Sequence, residues 1–484
     1  MRRIFSSPIV ALAAGLCLRL FFVLRFPSAS GDTALYEQIA ANWIKYGTYA
    51  MDVAGKMTPV DIRVPGYPAF LAIIYALTGR TGESARFWVM LAQVGIDLTT
   101  CLVIAGLAAL LISGIATRGN TKRVFIAALW LASLCPFTAN YTAVPLTEIF
   151  AIFWTALACR ALAVAFRRVQ NREFLLKGTH LPLGRSVEYT ALGAGLTVGA
   201  GTLFRPETPM LLVAAAIVFG GLFSLRGNSR RWLWVCLAMA LGLLMILAPW
   251  AIRNMVTLGE PQFLAPRESN LPDELVPYGF MRWEKTWLFR VSDCYLVTWK
   301  LNDEPINLEE IPARAFDTPE EKQRVAAVLE QYNDEVTLTP EEDAAFAQLA
   351  SERTARHPLR TYIWLPAARV MTLWFSPRIE RLPYSGHVFP LVRTLEDDPV
   401  DQSITILLAV LNIVYITLAL WGTFRLWRRV PSALPIVLFF TAFVLLRTAF
   451  LTTVEAPEPR YTLVCFPVLI ALAAQLFARH SVNA

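Results

Sequence analysis

Acidic and basic residues stand where apolar segments of this chain end, in several separate stretches. Asp32 follows the first apolar segment, Arg63 begins the sequence RVPGYP (63–68), and Glu148 ends PLTE (145–148). Carboxylates take up protons or bind hard divalent cations, and guanidiniums bind phosphate through charge-assisted hydrogen bonds. Comparable stretches hold further polar candidates: Lys56, Arg205, Glu207, Arg253, Asn254, Arg460 and Tyr461.

The composition excludes an ordinary soluble domain. Of the 484 residues 56% are hydrophobic and 17% charged, and the mean hydropathy is +0.48, whereas soluble domains carry about 25% charged residues. Aromatic residues make up 12% of the chain, which argues against disorder. The net charge of +7 would suggest nucleic acid on a soluble protein, but in a membrane protein the position of each charge matters more. We expect no nucleic-acid partner.

The apolar segments predict an all-α polytopic membrane protein with about ten transmembrane helices, since a span needs about 20 apolar residues. The predicted spans are 8–26, 86–113, 124–139, 145–166, 187–204, 208–225, 232–252, 403–424, 432–450 and 461–478.

The distribution of cations predicts the orientation of these spans. With a cytoplasmic N-terminus the inner loops carry many Lys and Arg residues, opposed only by Glu173 and Glu188, as the positive-inside rule requires. We therefore predict a multi-pass protein of a bacterial inner membrane with both termini cytoplasmic. The polar stretches named above then all lie on the exoplasmic side.

The same scheme divides the chain into three parts. Residues 1–255 form a transmembrane catalytic core with a first exoplasmic loop at 27–85, and residues 403–484 form the C-terminal transmembrane helices. Between them, 256–402 is predicted to be a small, mainly helical exoplasmic cap domain. It contains TPEE at 318–321 and 339–342, a helix-start signal, and an interfacial helix at 361–376 with Trp364 and Trp374 at the membrane surface.

Several candidates also have a purely structural interpretation. Asp32 precedes an amphipathic segment and would serve as its cap, and Glu148 in a first helical turn would complement the helix dipole. Arg253 and Arg460 would serve as interfacial anchors, whereas Arg63 has no such role in its Pro-bounded segment.

Charges inside the spans form a separate set. Asp97 lies near mid-depth of the second span, and the sequence leaves Arg19 or Arg447 as its partner. A charge in lipid is costly unless paired, so structural pairing is favoured over an ion pathway. Six of the seven cysteines lie in apolar segments and no zinc-ligand spacing occurs, so neither disulfides nor zinc are expected.

In these stretches the chain resembles the GT-C superfamily of membrane glycosyltransferases, which includes protein mannosyltransferases and the lipid A aminoarabinose transferase. The correspondences are Asp32 with the helix at 33–46, RVPGYPAFLAIIY, the PLTE ending at Glu148, and the exit sequence 249–254. Arg460, Tyr461 and Pro467 complete them. The likeness covers residues 1–255 and 403–478, and only loosely 256–402.

The resemblance implies inverting transfer of a hexose or pentose from a polyprenyl-phosphate donor to a protein, lipid or glycan acceptor in the cell envelope. It implies that Asp32 is the general base and that Glu148 assists it, or that both bind a divalent cation such as Mg²⁺ or Mn²⁺. Many relatives have two adjacent acids where this chain has Asp32 and Thr33, so metal dependence stays open.

The remaining candidates receive roles in the same way. Arg63, Lys56, Arg253 and Arg460 are implied ligands of the lipid phosphate. Supporting roles fall to Arg205, Glu207, Asn254 and Tyr461.

Other functions remain possible from the sequence. A transporter or flippase of a lipid-linked solute would explain the spans, but no repeat between halves is visible. A non-catalytic scaffold would leave the polar stretches without a purpose. An O-antigen ligase or polymerase would also act at the outer face, with a diphosphate-linked donor.

Overall fold

The computed structural model describes residues 6–113, 116–176, 186–225, 227–259, 261–266, 268, 274–386, 388 and 397–479. The side chains of 171–176 are outside this description, including that of Glu173, one of the two acids of the predicted inner loops. Several cations of the predicted cytoplasmic side also lie outside it: Arg2, Arg3, Lys177, Arg185 and Arg226.

Helices dominate the described residues. In chain order the first ten are α1 (Pro8–Arg25), α2 (Gly31–Tyr46), α3 (Gly66–Thr78), α4 (Glu83–Ile112), α5 (Arg118–Ser133), α6 (Pro136–Ala139), α7 (Glu148–Leu176), α8 (Ser186–Thr202), α9 (Met210–Ser224) and α10 (Ser229–Leu258). The chain continues with α11 (Tyr278–Glu284), α12 (Val291–Cys294), α13 (Pro319–Glu335), α14 (Pro340–Arg356), α15 (Leu365–Phe375), α16 (Pro399–Arg429), α17 (Leu434–Leu451) and α18 (Phe466–Ala473). Strands β1 (Ala50–Val53) and β2 (Lys56–Pro59) form an antiparallel hairpin that pairs Val53 with Lys56.

The helices confirm an all-α polytopic membrane protein. Among the described residues, seven helices are long and apolar enough to cross a membrane, and the pair Arg118–Ser133 and Pro136–Ala143, bent by 50°, makes an eighth if it is one span. Helices occupy all ten predicted positions, but α8 and α9 have only 17 and 15 residues. The described helices therefore give seven or eight spans, against the ten predicted. An apolar helix, α3, also lies within the predicted outer loop 27–85.

Two compact units make up the described chain. Unit 1 consists of the described residues of 1–269, 381–446 and 463–484, and unit 2 of those of 270–380 and 447–462. These borders differ from those of the predicted cap domain, 256–402. The described residues of 256–269 and 381–402 belong to unit 1, and 447–462 belongs to unit 2.

Unit 1 contains the charge predicted near mid-depth of the second span. Asp97 pairs with Arg19, whose Nη2 lies 2.6 Å from Asp97 Oδ2. Arg19 Nη1 also donates to the carbonyls of Gly15 and Ser133 at 2.9 and 2.8 Å. Both charged side chains are buried, so they form a closed structural pair that joins α1, α4 and α5. Arg447, the other possible partner, belongs to unit 2.

Unit 2 is mainly helical and has its own apolar core, which includes Phe280, Trp283, Trp287, Leu329 and Phe346. Its two long helices begin as the TPEE sequences predict: Thr318 accepts a hydrogen bond from Glu321 N and Thr339 from Glu342 N. Such caps satisfy amide groups that a helix start leaves unpaired.

A buried carboxyl also lies in unit 2. Thr298 Oγ1 donates to Glu284 Oε1 at 2.5 Å, and Glu284 is fully buried. Burial raises the pKa of Glu284 to about 8, against the lowering effects of the Thr298 hydrogen bond and the Lys285 charge.

The predicted helix at 361–376 is present, as a π-helical turn (Arg360–Trp364) that continues into α15. Trp364 is exposed, as an interfacial residue would be. The expectation for Trp374 is wrong, because this side chain is buried and its Nε1 donates to Thr448 Oγ1 at 3.1 Å.

Candidate active site

The first candidate, Asp32, lies in the first turn of α2. The capping interpretation of Asp32 is wrong, because Ser30 is the N-cap and forms reciprocal capping contacts with Thr33. Thr33 Oγ1 also donates to Pro145 O at 3.2 Å. The start of α2 is thereby fixed against the PLTE segment that leads to Glu148.

Asp32 pairs with Arg63, which is 31 residues further along the chain. Arg63 Nη2 lies 2.7 Å from Asp32 Oδ1. The Asp32 side chain is 35% exposed and that of Arg63 15%, so the carboxylate is the more accessible partner. Burial lowers the pKa of Arg63, but its neighbours Tyr36 and Asp32 raise it above its ordinary value, and Arg63 therefore stays cationic.

A second ion pair joins Glu148 and Arg205. Arg205 Nη2 lies 2.6 Å from Glu148 Oε1, and Arg205 Nη1 lies 3.7 Å from Glu207 Oε1. Glu148 is the first residue of α7 and its side chain is only 3% exposed. This carboxylate is thus far less accessible than that of Asp32.

Tyr36, which was not among the predicted site residues, lies within electrostatic range of both ion pairs. It lies one turn after Asp32 on α2, and the Arg63 guanidinium carbon is 5.8 Å from its ring centroid. Burial raises the pKa of Tyr36 to about 12, and the charges of Arg63, Asp32, Arg205 and Glu148 all act on it. One phenol is therefore within electrostatic reach of both pairs and remains protonated at neutral pH.

A close backbone contact brings the two arginine segments together. Gly66 N donates to Leu203 O at 2.7 Å. A Cβ atom on Gly66 would lie 2.4 Å from this same oxygen, so only glycine fits here. The rings of Phe150 and Phe204 stack beside it at 4.5 Å.

A buried amide supports the segment before Glu148. Gln93 Nε2 donates to Val144 O at 2.9 Å and to Thr142 O at 3.2 Å, while Gln93 Oε1 accepts from Tyr67 Oη at 2.8 Å. Gln93 was not among the predicted site residues, because a lone polar residue in an apolar helix forms no motif. The one indication in the sequence was its position as a polar residue inside a predicted span.

Arg253 fastens the loop that holds Arg63. Its Nη1 and Nη2 donate to Val60 O and Tyr49 O, both at 2.8 Å, and Tyr49 Oη donates to Arg63 O at 2.8 Å. Asn254 is buried and its Nδ2 donates to Gln262 O at 3.0 Å. Both side chains thus have structural partners in unit 1.

Lys56 and Arg460 are the other predicted phosphate ligands, and Tyr461 is a predicted supporting residue. Lys56 is exposed on β2. Arg460 and Tyr461 belong to unit 2, where Arg460 Nη2 and Tyr461 Oη both donate to Glu458 Oε1, at 2.8 and 2.6 Å.

The described residues do not form a ready metal site. No group of three or more His, Cys, Asp or Glu side chains among them is placed to hold an ion. Asp32 and Glu148, the predicted ligands, each have an arginine partner.

Comparison with known proteins gives a distant likeness. No family model matches the chain, and no curated protein matches it. Among solved structures, the archaeal oligosaccharyltransferase AglB from Archaeoglobus fulgidus, in complex with an inhibitory peptide and a dolichol-phosphate, is 14% identical with a TM-score of 0.47. That match covers 96% of this chain and 50% of AglB.

A second solved protein is also similar. ArnT from Cupriavidus metallidurans in the apo state is 12% identical with a TM-score of 0.38, over 96% of this chain and 76% of ArnT. Its structure bound to undecaprenyl phosphate is 13% identical with a TM-score of 0.33 and covers 77% of ArnT. AglB and ArnT belong to the GT-C superfamily, which the sequence resembles.

This chain spans about half the length of the oligosaccharyltransferase.

Proposed function

We propose that this protein is an integral membrane glycosyltransferase that moves a sugar from a polyprenyl-phosphate donor to an acceptor at the exoplasmic face, with inversion. The observation that carries the proposal is the pair Asp32–Arg63, a partly exposed carboxylate 2.7 Å from a cation. It combines in one place a group that takes a proton and a group that binds phosphate.

In the proposed reaction the acceptor hydroxyl gives its proton to Asp32 while its oxygen attacks the anomeric carbon. The bond from that carbon to the donor phosphate breaks, and its electron pair leaves with the phosphate. The lipid phosphate needs no proton from a general acid, because it is stable as an anion. Positive charge beside it is therefore the main requirement, and a single displacement inverts the anomeric centre.

Arg63 has a double part in this scheme. Without donor it neutralises Asp32, and a donor phosphate competes for the same guanidinium. Phosphate binding would then release the carboxylate to accept a proton. The acceptor hydroxyl is thus activated only when the donor is present, which protects the donor from water.

Glu148 and Arg205 have a supporting part. Their pair is more buried than that of Asp32 and Arg63, which favours a role in fixing local charge over direct contact with the acceptor. Tyr36, within electrostatic range of both pairs, supplies a neutral phenol. Its hydroxyl is a donor suited to a phosphate or sugar oxygen.

The other predicted phosphate ligands remain proposals. The contacts of Arg253 favour an indirect part, through the position of Arg63. Lys56 is exposed to solvent, where a phosphate can approach it, whereas Arg460 donates to Glu458 within unit 2. A divalent cation, if used, would be Mg²⁺ or Mn²⁺ on the carboxylates of Asp32 and Glu148.

The membrane side and the substrates rest on the sequence alone. The inner-loop cations support cytoplasmic termini and an exoplasmic site in a bacterial inner membrane. The donor is proposed to carry a hexose or pentose, and the acceptor to be a protein, a lipid or a glycan.

Donor turnover by purified protein tests the proposal. The full chain in detergent micelles is incubated with polyprenyl-phosphate hexoses and pentoses plus a membrane extract of acceptors, and release of polyprenyl phosphate is followed. Micelles have no second compartment, so transport cannot consume donor. Release of polyprenyl phosphate with attachment of the sugar to an acceptor would support a transferase. If the donor remains intact with every hexose and pentose tested, the proposal is contradicted.

A further inference from the structure

A groove of unit 1 lies outside the candidate active site. It has a volume of 870 Å³ and runs along α5 and the 3₁₀ turn Ala474–Phe477. We call it the Lys122 groove. Its apolar wall includes Ile126, Trp130, Leu131 and Phe477, and the Phe477 side chain is 53% exposed.

The charged lining of the Lys122 groove consists of cations only. Lys122, Arg123 and Arg479 line it, and no Asp or Glu does. All three are exposed, and the described part of the chain places no carboxylate within ion-pair distance of them. Their charge is therefore available to a ligand.

Charge and apolar surface follow each other at helical spacing. Lys122, Ile126 and Trp130 are four residues apart on α5, as are Arg123, Ala127 and Leu131, so each row lies on one face. The apolar part extends about 12 Å beyond the cations, at 1.5 Å per residue. An anionic group joined to an acyl chain has this same order of charge and apolar surface.

The position of Arg479 is fixed by the fold. Asn120 Oδ1 accepts from Arg479 N at 3.1 Å, and Asn120 Nδ2 donates to Arg479 O at 3.0 Å. Arg425 Nη2 donates to Ala478 O at 2.5 Å. The backbone that carries the Arg479 side chain is thus fixed by hydrogen bonds with both Asn120 and Arg425.

A second, polar cavity adjoins the first. It has a volume of 330 Å³, and Arg479 lines both cavities. Arg425, Arg429 and Gln475 also line it, again without an acid among the lining residues. A headgroup larger than one phosphate therefore has positive surroundings on both sides of Arg479.

We propose that the Lys122 groove binds an acidic phospholipid. Its phosphate contacts Lys122, Arg123 and Arg479, and an acyl chain lies along Ile126, Trp130 and Leu131. Basic pockets between membrane helices bind such headgroups, and charge complementarity favours a lipid anion over a zwitterion. With the orientation predicted from the cations, the ligand belongs to the cytoplasmic leaflet. The proposal does not depend on transferase activity.

Native mass spectrometry of the full chain in micelles tests this proposal, with phosphatidylglycerol and phosphatidylcholine of identical acyl chains as probes. The wild-type protein is expected to retain phosphatidylglycerol more tightly. The double variant Lys122→Gln, Arg123→Gln is expected to lose about 30-fold in affinity for it, because each cation near an anionic surface contributes about fivefold. Arg230→Gln removes an exposed cation at the start of α10, outside the groove, and is expected to change nothing.

A second variant tests the apolar wall. Ala127→Trp leaves all three cations in place and fills the groove, and we expect it to reduce phosphatidylglycerol binding at least tenfold. Equal retention of both lipids by the wild type would overturn the proposal. So would equal losses in the Arg230→Gln control and the double variant, or unchanged lipid affinity of Ala127→Trp.

Discussion

Arg63 Nη2 and Asp32 Oδ1 lie 2.7 Å apart, and this contact joins the loop before α3 to the first turn of α2. Arg63 is the more buried of the two, and its Nη1 also donates to Ile62 O at 3.0 Å. The pair therefore gives a direct way to separate phosphate binding from proton transfer by single substitutions.

Replacement of Arg63 should act on the donor. Arg63→Ala is expected to weaken donor binding by about 10-fold to 100-fold, since a hydrogen bond to a charged group contributes about 1.5–3 kcal/mol, and to change acceptor binding much less. The measurement is KM for each substrate with the other saturating. Arg80→Ala, at an exposed position after α3, serves as control. Equal effects on donor and acceptor would refute the phosphate role of Arg63.

Breaking the buried ion pair should reduce stability. Glu148→Ala leaves Arg205 without its main partner, and removal of one member of a buried pair costs about 3–5 kcal/mol. We expect a lower Tm in detergent, and partial recovery when Arg205→Gln is added. Glu83→Gln removes an exposed partner of Arg86 and should leave Tm nearly unchanged. A Tm of Glu148→Ala equal to that of the wild type would show that the pair contributes little.

The contact of Gly66 with Leu203 should tolerate no side chain. Gly66→Ala is expected to lower Tm, because overpacking costs about 1–3 kcal/mol, and to reduce turnover by shifting the segment that carries Arg63 away from Asp32. Gly95→Ala has open space around its new Cβ and is the matched control. Wild-type turnover and Tm for both variants would mean that the close approach does not position the site.

Stability should depend on pH through Glu284. Its folded pKa of about 8 lies above the unfolded value of 4.5, so between these values the folded chain holds a proton that the unfolded chain has lost. The stability that this proton contributes is present below pH 4.5 and is lost as pH rises through 8. Glu284→Gln should therefore flatten the fall in Tm between pH 5 and 8. The control is Glu330→Gln, at an exposed position of unit 2; a slope equally steep in both variants would contradict the assignment.

Much of the helical layout could be predicted from the sequence, because apolar length and capping residues act locally. The caps at Thr318 and Thr339 are examples. Contacts between distant segments had no local signal. In the sequence Tyr36 is one position of an amphipathic segment, and nothing local relates it to the ion pairs. Position 66 requires glycine only because Leu203 lies against it. The packing of 447–462 in unit 2 likewise depends on tertiary contacts such as that of Trp374 with Thr448.

The pairing of the candidate residues could not be predicted. The sequence predicts Asp32, Arg63, Glu148 and Arg205 on one side of the membrane without indicating which acid pairs with which base. Pairing depends on side-chain geometry, which local patterns do not encode. The alternative partners of Asp97 illustrate the same limit.

The most direct test of the proposed function is donor turnover by Asp32→Asn. Asparagine has nearly the shape of aspartate but does not take up the proton of the acceptor hydroxyl, so we expect turnover to fall at least 100-fold, the lower end of what general-base catalysis contributes. Tm is expected to stay close to that of the wild type. Donor binding is expected to be no weaker than in the wild type, because Asp32 no longer competes with the phosphate for Arg63. Asp52→Asn, which changes an exposed acid of β1, should retain full activity. Turnover by purified Asp32→Asn equal to that of the wild type would contradict the assignment of Asp32 as the general base.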